Sequence, residues 1–298
     1  MLAAACALDV ALGDPHAWPH PVRAFGAAIA AADRARPADS RPARDLALGA
    51  ALTAILIGCA WTVGATADRG PVLLQLPLAA STLAARSLDD AVRGVHAALA
   101  AGDLADSRRR VGWIVGRDTD ALGAHEVARA ALETLAESFC DGVVAPLVAL
   151  RLGGCAAALA FKAVSTLDST IGHREAPYTW FGCVAARLDD VANFVPARIA
   201  ALAIVAAAAI AGENPRAAAR IALAEAGSHR SPNAGWPEAA LAGALGVRLG
   251  GDNRYGGVLR TGSVFNRDAR EPDARDVARG LVLVRIAGAL CALAACAA

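Results

Sequence analysis

Leu46 to Ala67 runs for 22 residues without a charged side chain. As a helix rising 1.5 Å per residue, that stretch is about 33 Å long, enough to cross the hydrocarbon core of a bilayer. No other feature constrains the fold as strongly, because a segment in lipid must satisfy every backbone polar group within itself. The rest of the chain agrees. Hydrophobic residues make up 56% and charged residues 19%, and with aromatics at 4% the apolar excess is Ala, Leu and Val, which favours helices over sheets. The expected fold class is all-α: a multi-pass integral membrane helical protein with cytoplasmic helical segments and motif-bearing loops.

Further apolar runs give further candidate spans. Residues 2–12 are short for a crossing and read as a partial span. Asp68-Arg69-Gly70-Pro71 reads as a tight turn, after which 72–85 returns, kinked at Pro77. Residues 142–161 read as a crossing or a re-entrant helix, with Arg151 inside. Residues 195–212 and 281–298 complete the set, with Arg198 expected to snorkel. The arginine-rich flanks 33–45 and 86–129 put both on the cytoplasmic side by the positive-inside rule. A net charge of +1 leaves no bulk basic field for nucleic acid. Seven scattered cysteines with no C-x-x-C pair suggest neither disulfides nor a zinc site.

Chemistry concentrates in the polar segments. Lys162 is the sole lysine among 29 basic residues, as expected where a compact ammonium is needed and a guanidinium fork does not serve. In a helix, Lys162, Ser165, Thr166 and Ser169 share one face, with Asp168 at its edge. Upstream, Asp118 or Thr119 is suited to cap a helix. Its apolar stripe is Ala128, Ala131, Leu132, Leu135 and Phe139, and Glu126, Glu133, Glu137 and Asp141 fall on the opposite face. These carboxylates read either as a solvated acidic face, with Arg129 pairing Glu133, or as a divalent-cation site. Asp189, Asp190 and Asn193 converge at helical spacing, as Mg²⁺ ligands or as a surface pair of Arg187 with Asp190. His20 and Arg23 form a loop pair suited to an anion or to a structural role. In 228–257, Ser231-Pro232-Asn233 is turn chemistry, and Pro237 suits the first turn of a helix with Leu241, Leu245 and Leu249 on its apolar face.

Taken in order, GDPHAWPHPVR, VGRDT, ETLAESFCDGVVAPL, AFKAVSTLDS, RLDDVANFVPAR and SPNAGWPEAALAGALGVRLGG resemble the motifs of adenosylcobinamide-phosphate synthase, an integral-membrane amide synthase of cobalamin biosynthesis. The resemblance runs from about Leu8 to Gly257. The chain departs from the pattern at Ser138-Phe139-Cys140, at Ala176-Pro177 and at Asp252. The resemblance implies one synthase domain over 1–298 in a bacterial inner membrane, with its active site on the cytoplasmic side. It implies ATP-dependent joining of adenosylcobyric acid to aminopropanol O-phosphate or a related amino alcohol. The implied cofactors and partners are Mg²⁺, ATP, the corrinoid, the amino-alcohol phosphate and membrane lipid, with a homo-oligomer or a complex with other cobalamin-assembly enzymes.

Within that reading, Asp189, Asp190, Asn193 and Asp141 are expected at Mg²⁺. Lys162, Glu133, Glu137 and Asp168 are expected to be catalytic, with Glu133 or Glu137 as base or further metal ligand. His20, Arg23, Arg117, Asp118, Ser165, Thr166, Ser231, Asn233, Glu238 and Tyr255 are expected to bind substrate. Because the substrates are cytoplasmic, 142–161 is expected to be re-entrant or half-buried. The chain has no Walker-type loop, so nucleotide binding would use another architecture. Other classes stay open: a membrane prenyl- or phosphotransferase using Mg²⁺, a transporter with broken helices, or a non-catalytic scaffold.

Overall fold

The computed structural model describes residues 1–14, 20–37, 39–173 and 177–297. Part of the first motif, Pro15 to Pro19, and the departure at Ala176 lie outside them. The chain is almost wholly helical. In order come α1 (Leu2–Leu12), α2 (Pro21–Ala35), α3 (Pro42–Asp68), α4 (Val72–Ala80), α5 (Ala85–Ala100), α6 (Leu104–Gly112) and α7 (Ala124–Phe139). A π-helical turn, Cys140–Val144, leads into α8 (Ala145–Ile171), followed by α9 (Cys183–Ala192), α10 (Phe194–Ala211), α11 (Pro215–Glu225) and α12 (Gly235–Leu245). Short strands β1 (Leu249–Gly250), β2 (Asn253–Tyr255), β3 (Val258–Arg260) and β4 (Val264–Phe265) precede α13 (Ala274–Ala297). β1 pairs antiparallel with β4, and β2 with β3; these two ladders are an addition to the all-α expectation.

Four helical stretches are long and apolar enough to cross a membrane: Pro42–Asp68, Ala124–Ile171, Phe194–Ala211 and Ala274–Ala297. Large apolar side chains on them face outward, among them Ile55, Trp61, Leu202, Ile210 and Leu293, each more than half exposed. In water such surfaces would be a liability; in lipid they are the solvent-facing side. The span expected at 72–85 is corrected. α4 contains Pro77 and ends at Ala80 after 9 residues, too short to cross.

The chain separates into two compact units. The first comprises residues 1–84 and 145–193 with the last residues from Ala295. Its centre is the packing of α3 on α8. Gly49, Thr53, Leu56, Ala60 and Gly64 are buried at helical spacing along α3. A Cβ at Gly64 would stand 2.4 Å from Ala156 Cα, so a bare backbone is what lets the helices approach.

α8 is not continuous. Gly153 and Gly154 leave helical geometry, Gly154 at φ 63° and ψ −156°, a region open almost only to glycine. The break exposes amides at the start of the second segment, and Asp68 from the end of α3 takes them. Its Oδ1 accepts from Cys155 N at 3.0 Å and its Oδ2 from Ala156 N at 3.1 Å. Asp68 is thus a helix cap supplied from a distance. Gly154→Ala should destabilise the protein by about 1–3 kcal/mol, since the new Cβ would lie 2.8 Å from Asp68 Oδ1. Gly58→Ala, with nothing within 4 Å of its Cβ position, should stay within about 0.5 kcal/mol. Unfolding in detergent measures both, and equal stabilities would exclude the strained break.

The second unit comprises residues 85–144 and 194–294. Every residue of α12 except Trp236 is buried. Gly243 allows α11 to close on it, since a Cβ there would stand 2.5 Å from Ala217 O. The apolar face predicted through Leu249 is corrected: Gly246 takes a left-handed cap, φ 66°, so the helix ends at Leu245 and Leu249 belongs to β1.

Candidate active site

A buried polar cluster grows from α7. This helix starts later than Asp118 or Thr119 would place it. Its N-cap is Gly123, whose N–H donates to Glu126 Oε2 at 2.7 Å. The stripe of Ala128, Ala131, Leu132, Leu135 and Phe139 is buried as expected. The solvated acidic face is corrected at Glu133, which is 7% exposed, as is Arg129. Arg129 and Glu133, one turn apart, lie 3.7 Å from each other. Glu137 is exposed, and Asp141 falls in the π-helical turn, so the regular spacing of carboxylates on successive turns breaks there.

The partners of this pair come from two segments remote in sequence. Arg117 donates to Glu133 Oε2 and to Asn253 Oδ1. Arg129 donates to Gly250 O, to Asp252 O at 3.2 Å and to Asn253 Oδ1 at 3.0 Å. Gly250 N returns a bond to Glu133 Oε1 at 2.6 Å. Gly250 and Gly251 have φ of 79° and 101°, so the double glycine lets the backbone turn onto the cluster. Asp118 fixes the next turn, accepting from Gly256 N at 3.0 Å and Gly257 N at 2.7 Å. Arg117 and Asp118 therefore clamp the 250–257 loop.

The SPNAGWPEA block builds the other wall. Ser231 Oγ accepts from Asn233 N at 3.2 Å and Ala234 N at 3.3 Å, shaping the entry to α12. Asn233 Oδ1 accepts from Arg198 at 2.9 Å. The Arg198 guanidinium reaches back to the start of α10, donating to Phe194 O at 2.7 Å and lying 3.7 Å from the Phe194 ring centre and 4.9 Å from that of Trp236. Glu238, in the first turn of α12, is 6% exposed. Its carboxyl makes no hydrogen bond to the described residues, and His229 Nε2 lies 4.0 Å from its Oε1. Burial, with Glu133 and Glu137 adding repulsion, pushes its pKa well above the ordinary carboxylate range. Burial also lowers His229. The His229 Nδ1 lies 3.0 Å from Ser231 N and 3.2 Å from Ser231 O, which fixes the ring with Nε2 on the side of Glu238.

The other expected residues fall elsewhere. Lys162, Ser165, Thr166 and Asp168 lie half-buried on the second segment of α8. The Thr166 hydroxyl donates to Lys162 O at 2.6 Å, and Gly172 leaves room for Asp168, whose Oδ1 a Cβ there would meet at 2.0 Å. Asn193 caps α9 and donates from Nδ2 to Asp189 Oδ2 at 3.0 Å; Asp190 lies 3.9 Å from Arg187. These residues belong to the first unit, and Asp141, Glu133 and Glu238 to the second. His20 caps α2, accepting from Val22 N at 3.3 Å, and meets Asp14 at 3.0 Å. Arg23 and Tyr255 are exposed, Tyr255 with Arg260 5.8 Å from its ring centre. Among the described residues no group of three or more His, Cys, Asp or Glu side chains is poised around a metal position.

Over residues 2–284 the chain matches the family described as CobD/Cbib protein. The chain belongs to the CobD/CbiB family. It is 41% identical over 292 residues to the cobalamin biosynthesis protein CobD of Klebsiella pneumoniae, covering 95% of this chain and 92% of that one. The CobD of Photorhabdus laumondii is 40% identical, covering 97% and 94%. The cobalamin biosynthesis protein CbiB of Salmonella typhimurium is also 40% identical, covering 95% and 92%. No solved structure matches. Family membership assigns the chain an enzymatic role in cobalamin biosynthesis as a bacterial membrane protein, and the described geometry gives the CobD/CbiB motifs VGRDT and SPNAGWPEA their shared place around Glu133 and Glu238.

Sequence reasoning missed Asp68, His229 and Asn253. Asn253 carried one signal: asparagine occurs only five times in the chain, and this one stands beside the double glycine.

Proposed function

We propose that the protein is an ATP-dependent amide synthase. It joins the free carboxylate of adenosylcobyric acid to aminopropanol O-phosphate, or a related amino alcohol, at the cytoplasmic side of the inner membrane, and both units serve that one synthase. The family match supports the pathway, and the buried, hydrogen-bond-free Glu238 in the SPNAGWPEA block is the observation that carries the chemistry. A carboxylate and an amine need activation to condense. The carboxylate oxygen attacks the terminal phosphorus of ATP, giving an acyl phosphate and ADP. The amine nitrogen then attacks the acyl carbon, phosphate leaves, and a base takes the proton from nitrogen.

Glu238, with its raised pKa and His229 beside it, is suited to hold that proton. The saturated Arg117–Glu133–Arg129 cluster is suited to fix the surrounding loop, while Glu137 borders Glu238 electrostatically. Asp118, Ser231, Asn233 and Tyr255 would border the substrate on that side. In the first unit Lys162 would neutralise a phosphoryl group, with Ser165, Thr166 and Asp168 on the adjoining face and His20 and Arg23 as further anion contacts. Mg²⁺ commonly uses one or two carboxylates plus substrate phosphate; in the first unit Asp189 and Asp190, with Asn193, would hold it, and it would supply charge neutralisation at the phosphoryl group.

The test is an assay of detergent-purified protein with adenosylcobyric acid, aminopropanol phosphate and Mg-ATP, followed by mass spectrometry. Amide product with equimolar ADP is expected. Lys162→Arg keeps the charge but replaces the compact ammonium by a guanidinium fork, and should lower turnover by about 10²-fold if the ammonium's position at the developing charge is what counts. Wild-type protein that forms no amide with either amino alcohol would overturn the reading.

A further inference from the structure

The second unit holds a separate open groove of about 880 Å³, bounded by the start of α11, the end of α12, the 266–269 loop and the first turns of α13. Four arginines line it: Arg216, Arg220, Arg267 and Arg279. The last is neutralised, donating to Glu213 Oε1 at 2.8 Å and to Asp276 Oδ1 at 2.6 Å. Another acid on the wall, Glu225, is occupied by Asn266 N–H at 2.7 Å. Arg216, Arg220 and Arg267 make no hydrogen bond or ion pair with any described residue, and Asp268 is the one lining carboxylate left to face them.

The floor of the groove is built rather than incidental. Asn266 is the only described non-glycine residue with positive φ, 52°. Its side chain donates to Ala242 O and Val247 O, both at 3.3 Å. A left-handed asparagine pinned on both sides fixes where Arg267 leaves the backbone. Arg216 and Arg220 stand four residues apart on α11, where like charges repel by a few tenths of a kcal/mol unless an anion lies between them.

The groove also stands where two candidate spans reach water. α10 ends at Ala211 just before the lining begins at Gly212, and α13 starts at Ala274 and contributes Arg279. Planar guanidinium groups bind phosphate oxygens in pairs, and basic pockets at span ends take phosphorylated headgroups. We infer that this groove is a binding site for a phosphate-bearing anion, at Arg216, Arg220 and Arg267. A phospholipid headgroup and a soluble phosphate ester share that chemistry.

The full-length protein in detergent separates the two sources. Binding of phosphatidylglycerol, phosphatidylcholine, ATP and inorganic phosphate is measured by native mass spectrometry. The variants are R216Q/R220Q/R267Q and a charge-matched control, R69Q/R151Q/R187Q, whose positions are also exposed. Loss of charge-assisted bonds should weaken the bound class by about tenfold per guanidinium, with the control close to wild type. Loss confined to phosphatidylglycerol identifies a lipid headgroup, and loss confined to ATP or phosphate a soluble ester. Equal binding by the groove variant and wild type, or no binding by wild type, overturns the inference. None of these readouts depends on amide synthesis, so the proposed reaction stands or falls separately.

Discussion

Glu238→Gln is expected to leave a folded protein that still activates its carboxylate substrate but forms amide about 10²–10⁴-fold more slowly, the usual contribution of a positioned base. Glutamine keeps the shape and removes the proton site. The buried carboxyl has no hydrogen bond to lose among the described residues, so the fold should tolerate the change. Two readouts separate a proton-transfer role from a structural one. ATP-dependent hydroxamate formation with hydroxylamine, which attacks acyl phosphates as a neutral nucleophile, should persist in the variant while amide formation is lost. Loss of both would place Glu238 in activation or in the fold instead.

Stability against pH gives the second readout. Glu238 has a folded-state pKa raised above its unfolded value, so the folded state binds the extra proton. Its contribution is fully present below the unfolded pKa of about 4.3 and is lost as pH rises through the folded pKa. The neutral glutamine should therefore flatten the decline of stability on the alkaline side of that window. A variant that declines as steeply as wild type would show that Glu238 is not the group whose raised pKa sets that decline. Glu133, Glu137, Arg117, Arg129 and His229 are the groups that share its field, and none of them changes in this comparison.

Arg117→Ala is expected to destabilise the second unit by about 3–5 kcal/mol, the penalty for leaving a buried partner charge uncompensated. Arg117 and Glu133 side chains are 7% and 10% exposed, so water cannot replace the lost guanidinium. Glu133 would retain Gly250 N and the more distant Arg129, which sets the loss nearer the lower figure. Arg117→Ala with Glu133→Gln should recover part of it, because the orphaned charge is gone. Thermal unfolding of the two single variants and the double variant measures the coupling, and strictly additive losses would mean the pair is not a unit. Hydrogen exchange at Gly256 and Gly257 adds a local check. Asp118 holds both amides, and its neighbour's removal should loosen that turn before the rest of the unit.

What the sequence disclosed divides along physical lines. Long unbroken apolar runs were legible because hydropathy acts locally: 195–212 became Phe194–Ala211. The break in α8 was hidden because two glycines inside an apolar run change neither hydropathy nor charge; only the carboxylate of Asp68, which that run does not contain, makes it tenable. The apolar run through 85 suggests a longer helix than α4 because a proline such as Pro77 can sit as a kink within a continuing helix; here the helix ends at Ala80. Glu133 was misplaced for a similar reason. Helical period put it opposite the apolar stripe, and its partners Arg117 and Gly250 come from 16 and 117 residues away. The resemblance to known motifs selected Glu238 without any local signal of its burial, whereas Asn233 and Ser231 were recognisable as turn chemistry and do shape a turn. The separation into two compact units was not legible, since each is assembled from interleaved parts of the chain.

The cap on the broken helix has a consequence for biogenesis. Asp68 precedes Cys155 by 87 residues, so during synthesis the carboxylate enters the membrane well before the amides it will receive. α3 can insert alone as an uninterrupted apolar helix, with Asp68 still at its polar end. The two segments of α8 cannot settle in the same way, because the amides after Gly154 have no partner within their own run. Assembly of the first unit is thereby expected to be ordered in time, the earlier helix serving as template for the later one. Separate expression of residues 1–84 and 85–298 would remove that order while keeping every contact available.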